Sequence, residues 1–217
     1  MGTISANKLA GLSIIVGSIL SIIFFTIRPG GGLVGGNVDP ADAAASIAAF
    51  LANSDMASLS FFFVPIGLIL FSYGMRTLVE NLQGSDGAPI ARLGMVFFLL
   101  ALIGWTTSSA LALVIAGGNA GAAVGAVYVI SLGINMTSSI FGALAFLLIA
   151  LGLSTNSDFN KVFALVIAAI SAIILVASIW AGKDLSMLQT TSMISGVGYI
   201  VTVVWVVTLG LGLLKKG

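Results

Sequence analysis

Residues 121–153 read GAAVGAVYVISLGINMTSSIFGALAFLLIALGL, an apolar run without a single charge. About 20 such residues in a helix cross the roughly 30 Å of bilayer hydrocarbon, and a longer run crosses with tilt. Ser131, Asn135, Ser138 and Gly142 recur within it at helical spacing, so the stretch reads as one membrane-crossing helix. The other apolar stretches arrange themselves as its neighbours.

Upstream, Gly117-Gly118-Asn119-Ala120 is a tight return from a third span over about 90–116, which carries Trp105-Thr106-Thr107-Ser108-Ser109. A second span covers about 57–78, with Phe61-Phe62-Phe63 as packing or lipid-facing bulk and Pro65 followed by Gly67 as a bend. The first span, about 8–27, reads as retained rather than as a cleaved signal, because its apolar core is long and Arg28-Pro29-Gly30 follows it. Met1-Gly2-Thr3-Ile4-Ser5-Ala6 lacks the Ser or Thr that a myristoylation pattern requires at its sixth place. Downstream, Asn156-Ser157-Asp158 is a cap for a fifth span over about 159–181, and a sixth covers about 188–214. The expected fold is therefore all-α, a single integral membrane domain of six transmembrane helices.

Between the first two spans, Gly30 to Asn37 is too rich in glycine for regular structure. Asp39-Pro40-Ala41-Asp42 then reads as a helix start, with Asp39 as cap, Pro40 at the first helical position and Asp42 favouring the dipole. The helix it opens is too short to span. It places Ile47, Phe50 and Leu51 on one face and is expected to lie, amphipathic, at the interface or over the mouth of the bundle.

Composition narrows the chemistry. The chain is 59% hydrophobic and 7% charged, against about 25% charged in soluble domains. The apolar runs are continuous, whereas barrel strands alternate. A net charge of +1 leaves no nucleic-acid footprint. With no Cys and no His, thiolate nucleophiles, thiolate metal sites and the commonest general base near neutral pH are absent. No ionisable residue stands near the centre of a span, where proton relays and counter-ions are placed. Catalysis is accordingly the least expected role, and no cofactor or metal is expected.

The positive-inside rule orients the bundle. Lys8, Arg76, Arg92, Lys161, Lys215 and Lys216 fall on one side, and only Arg28 and Lys183 on the other. Both termini are thus expected in the cytoplasm of a multi-pass cell-membrane protein, with the short helix outside.

Three constellations stand out. Ser131, Asn135 and Ser138 with Thr107 and Ser108 form polar lining at membrane depth; the plainer reading is hydrogen bonding between helices, worth about 0.6 kcal/mol per contact, and the other is a solute path. Ser13, Gly17 and Ser21 make a small-residue stripe on the first span, and Gly121 and Gly125 a second packing surface, within the bundle or across a subunit boundary. Arg76 with Glu80 one turn on makes a surface ion pair. Arg76 and Arg92 otherwise read as topology anchors or contacts to anionic lipid head groups.

The order of features resembles a known family. The outer loop ends in Asp42-Ala43-Ala44-Ala45-Ser46-Ile47-Ala48, the second span closes on Gly74-Met75-Arg76-Thr77-Leu78, and the third opens with Ala91-Arg92-Leu93-Gly94. This is similar to the uncharacterised prokaryotic six- to seven-span membrane family catalogued as domain of unknown function 4386. The resemblance implies no activity and carries over no site residue. The functional expectation is a structural or accessory component of a membrane assembly, with lipid, other membrane subunits or a second copy as partners. The alternatives are a channel or carrier for a small neutral solute, and binding of a lipid or hydrophobic ligand.

Overall fold

Uncharged apolar segments in lipid must satisfy every backbone amide internally, and this chain does so with helices. A computed structural model describes residues 4–31, 34 and 38–216. Much of the glycine-rich segment, Gly32, Leu33, Gly35, Gly36 and Asn37, lies outside the described residues, as do Met1, Gly2 and Thr3 of the myristoylation pattern. The helices are α1 (Ala6–Ile27), α2 (Ala43–Ala52), α3 (Ser54–Glu80), α4 (Ala88–Ala116), α5 (Val124–Ser154, entered through a 3-10 turn at Gly121–Ala123), α6 (Lys161–Lys183) and α7 (Leu188–Lys215). All but α2 are long and apolar enough to cross a membrane, so the chain is a multi-pass membrane protein with six spans. Six crossings bring both termini to one end, the terminal end; α2 lies at the other.

Two helix starts differ from the sequence reading. Asp42, not Asp39, caps α2, accepting from the Ala45 amide at 3.0 Å. Asp39 instead accepts from the Ala41 amide at 2.9 Å, a tight local turn that holds Pro40 outside the helix. Asn160, not the Asn156-Ser157-Asp158 segment, caps α6 through the Phe163 amide at 3.0 Å. Asn156 folds onto the Asp158 amide at 2.9 Å. Short polar side chains followed their nearest amide in both cases. Asp42→Ala is expected to cost about 1 kcal/mol of local stability, read as faster hydrogen exchange at the Ala45 and Ser46 amides with α3 unaffected.

The six spans close into a ring. α1 packs on α3 and α7, α3 on α4, α4 on α5, α5 on α6, and α6 on α7, while α2 lies against α3, α4 and α5. Close approach comes from facing small residues. A Cβ on Gly17 would lie 2.5 Å from the Gly67 carbonyl oxygen, and one on Gly67 would lie 2.7 Å from the Gly17 oxygen. Gly11 with Gly210 joins α1 to α7 in the same way, and Gly87 with Gly152 joins the starts of α4 and the end of α5. Lipid supplies no hydrophobic drive between helices, so contact of this closeness is what holds them.

Two apolar cores divide the length of the ring. At the terminal end all six spans meet around Met75, Ile149, Ile167, Trp205 and Leu213. Phe71, Phe98 and Phe146 lie with ring centroids 5.4–6.0 Å apart along its upper edge. At the other end Phe50 of α2 meets Phe61 of α3 at 5.1 Å and Tyr128 of α5 at 6.2 Å. The Tyr128 hydroxyl donates to the Pro40 carbonyl at 2.7 Å. The short helix is thus seated over the mouth of the ring. Arg76 and Glu80 do pair, at 2.8 Å, but both are well exposed, so the pair adds little stability.

Candidate functional site

Between the two cores the ring is not filled. A cavity of about 260 Å³ lies there, just below the roughly 300–1,000 Å³ usual for small-molecule sites. Phe71, Trp105, Phe146 and Val206 of the terminal-end core form its floor, and Phe50, Phe61 and Tyr128 of the other core its roof. α3 contributes apolar wall through Val64 and Leu68, while α1, α4, α5, α6 and α7 each contribute hydroxyls.

Most of these hydroxyls are already engaged. Ser18, Ser139 and Thr202 donate to carbonyls of their own helices, to Ile15, Asn135 and Gly198 respectively, the back-bonding expected of Ser and Thr inside helices. Ser21 donates across to the Val64 carbonyl at 3.2 Å, joining α1 to α3. Ser108 and Ser131 exchange hydrogen bonds, each hydroxyl donating to the other's carbonyl at 2.9 and 3.0 Å. They pin α4 to α5 along one wall.

Of the polar groups left over, four bear on the function. The Ser178 hydroxyl and the Tyr199 hydroxyl are buried, line the cavity and have no partner among the described residues. The Asn135 side chain also lines it, with no protein hydrogen bond among those residues. The fourth is Arg28, whose Nε is buried and unpaired. Arg28 ends α1; Pro29 follows, and Gly30, at φ +75°, turns the chain. The guanidinium carbon then lies 5.2 Å from the Phe25 ring centre and 5.8 Å from that of Phe61. A Cβ on Gly31 would lie 2.7 Å from Nη2, so the guanidinium folds back directly over the Gly31 backbone. Desolvation lowers the Arg28 pKa, with Tyr128 opposing that in part, and an arginine so placed remains a cation.

Of the residues singled out in the sequence, Ser108, Ser131 and Asn135 are brought together on the cavity wall. Ser138 is buried against Gly104 and donates to the Ile134 carbonyl at 2.7 Å; it is not part of the wall. Thr107 faces outward and donates to the Ile103 carbonyl at 2.9 Å, because one residue along a helix is a turn of about 100° away from Ser108. Ser13, Gly17 and Ser21 are buried in helix contacts. Gly121 and Gly125 are exposed with nothing within 4 Å of an added Cβ; they make no contact inside the bundle, which corrects the expectation of intramolecular packing there. Arg92 is exposed near the start of α4, at the same end as Arg76.

No family model, curated protein or solved structure matches the chain. The arrangement itself carries the functional reading. Sequence reasoning took Arg28 only as a topology charge. The available signal was local: no carboxylate stands three or four residues to either side, and Pro29-Gly30-Gly31 follows, which permits the chain to fold back. Tyr199 and Ser178 gave no such signal, since single hydroxyls on long apolar helices are ordinary.

Proposed function

We propose that this chain is a non-catalytic membrane protein that holds a small amphipathic solute in the cavity between its spans. The carrying observation is an unfilled space between the spans lined by Asn135, Ser178 and Tyr199, whose side chains have no partner among the described residues. Buried polar groups without partners are costly, and a bound solute or water relieves that cost. The packed floor of Phe71, Trp105, Phe146 and Val206 supports binding over passage through the bundle. The excess of Lys and Arg at the terminal end supports cytoplasmic termini in a prokaryotic cell membrane, with the cavity on the outer side.

The test uses purified protein in phosphatidylcholine nanodiscs titrated with 2-phenylethanol. A saturable change in Trp105 fluorescence is expected, absent in Trp105→Phe. Ala112→Phe, which fills the cavity wall, is expected to abolish saturation. A response that never saturates, or that survives Ala112→Phe, would reject the cavity as a binding site.

A second reading, an accessory subunit that contacts another membrane chain or a second copy, draws on the outward face of α5. Gly125 and Gly133 of α5, and Gly121 in the turn that enters it, are exposed with open space before them. Cross-linking in the native membrane tests it through the mobility of a Gly125→Cys variant; a lone monomer at every protein density argues against it.

A further inference from the structure

We propose that the solute is an organic carboxylate, a single anionic head on a small apolar or aromatic body, with the head against Arg28. This rests on the ligand-binding reading above and adds the chemistry of the ligand. The ring faces of Phe25 and Phe61 attract the cation but accept none of its N–H bonds. The buried Nε is therefore left over, on a guanidinium whose planar fork matches a carboxylate in two-point contact.

No carboxylate of the described chain fills that place. The ion pairs among the described residues are Arg76 with Glu80 and Lys216 with Asp158, both at the terminal end. Among the described residues Arg28 is the single cationic side chain on the cavity wall, which suits one negative charge better than a doubly charged phosphate. Deeper in, Phe71, Trp105 and Phe146 offer an apolar bed, and Tyr199 and Asn135 offer hydrogen bonds for a polar substituent. Neighbouring spans contact one another all the way round the ring. A cavity of about 260 Å³ suits a small acid better than a two-chain phospholipid.

The experiment compares phenylacetate with 2-phenylethanol, near-isosteres that differ in charge, on the full chain in phosphatidylcholine nanodiscs. Phenylacetate is expected to bind tighter on the order of 10- to 100-fold, the range of a charge-assisted contact. Arg28→Gln is expected to remove that preference, and Arg28→Lys to keep part of it. Equal binding of the two probes to the unaltered chain overturns the carboxylate assignment while leaving the cavity reading intact. Binding of neither overturns both. Displacement of phenylacetate when phosphatidylglycerol replaces part of the disc lipid would assign Arg28 to lipid head groups and overturn the small-acid proposal. Retention of the preference in Arg28→Gln would place the anion elsewhere and overturn it as well. Saturable 2-phenylethanol binding by Arg28→Gln shows that the variant has folded.

Discussion

Gly17→Leu is expected to deprive the chain of a stable bundle. The atoms that an added Cβ would meet at 2.5 Å are backbone, the Gly67 carbonyl oxygen and the Phe71 amide nitrogen. Side chains that are overpacked rotate away at a cost of about 1–3 kcal/mol, whereas a backbone contact yields only by moving α1 off α3. The expected loss is therefore above roughly 3 kcal/mol, a large share of the ~5–15 kcal/mol that holds a typical fold. Moving α1 also disturbs Gly11 against Gly210, so the ring opens at two seams together. The matched control is Gly125→Leu, which has open space in front of it and is expected to change folding by no more than about 0.5 kcal/mol. Melting both variants in the same lipid decides the matter. Equal midpoints would show that α1 and α3 separate without cost.

Trp205→Ala is expected to be the next most damaging change. Trp205 is 1% exposed and the largest fully buried side chain among the described residues, set in the core below the cavity floor. Truncating such a residue in a soluble core costs about 3–5 kcal/mol. Here the unfolded helix still sits in lipid, so the transfer contribution largely cancels and lost packing remains. The expected value is about 3 kcal/mol, the low end of that range. The void would also lie beneath Val206, a cavity-wall residue, so probe binding should weaken along with stability. Trp205→Phe keeps most of the volume and should recover most of both. A loss under about 1 kcal/mol for Trp205→Ala, measured by reversible unfolding in detergent mixtures, would mean that this end of the ring is loosely packed.

The polar constellation shows how far residue spacing reaches. Ser131 and Asn135 lie four apart and so share a helix face, and both do line the cavity. Ser138 sits only three further on yet is buried under Gly104 instead, because that step leaves it about 60° short of a full turn and facing α4, while Ser139 keeps to the cavity wall. Thr107 and Ser108 are adjacent in sequence and point to different media, one to the outside of the ring and one to its centre. Which of the two faces inward depends on the rotation of α4 about its own axis. A helix that is apolar nearly all round carries almost no pattern to announce that rotation. Arg28 was visible as a charge but not as a cavity residue, since its direction depends on the turn through Pro29 and Gly30 after the helix has ended.

Hydropathy and run length sufficed to establish six spans, their approximate limits and the short helix between the first two. In hydrocarbon, backbone hydrogen bonding leaves only helices and closed barrels, and a continuous apolar run without alternation is a helix. The closed ring, the gap between its two cores, the outward placing of Gly125 and the burial of the Arg28 guanidinium came only from the tertiary structure. Helices in lipid are joined by shape and close contact rather than by the contrast between oil and water, and shape is a property of the assembled faces, which composition does not record.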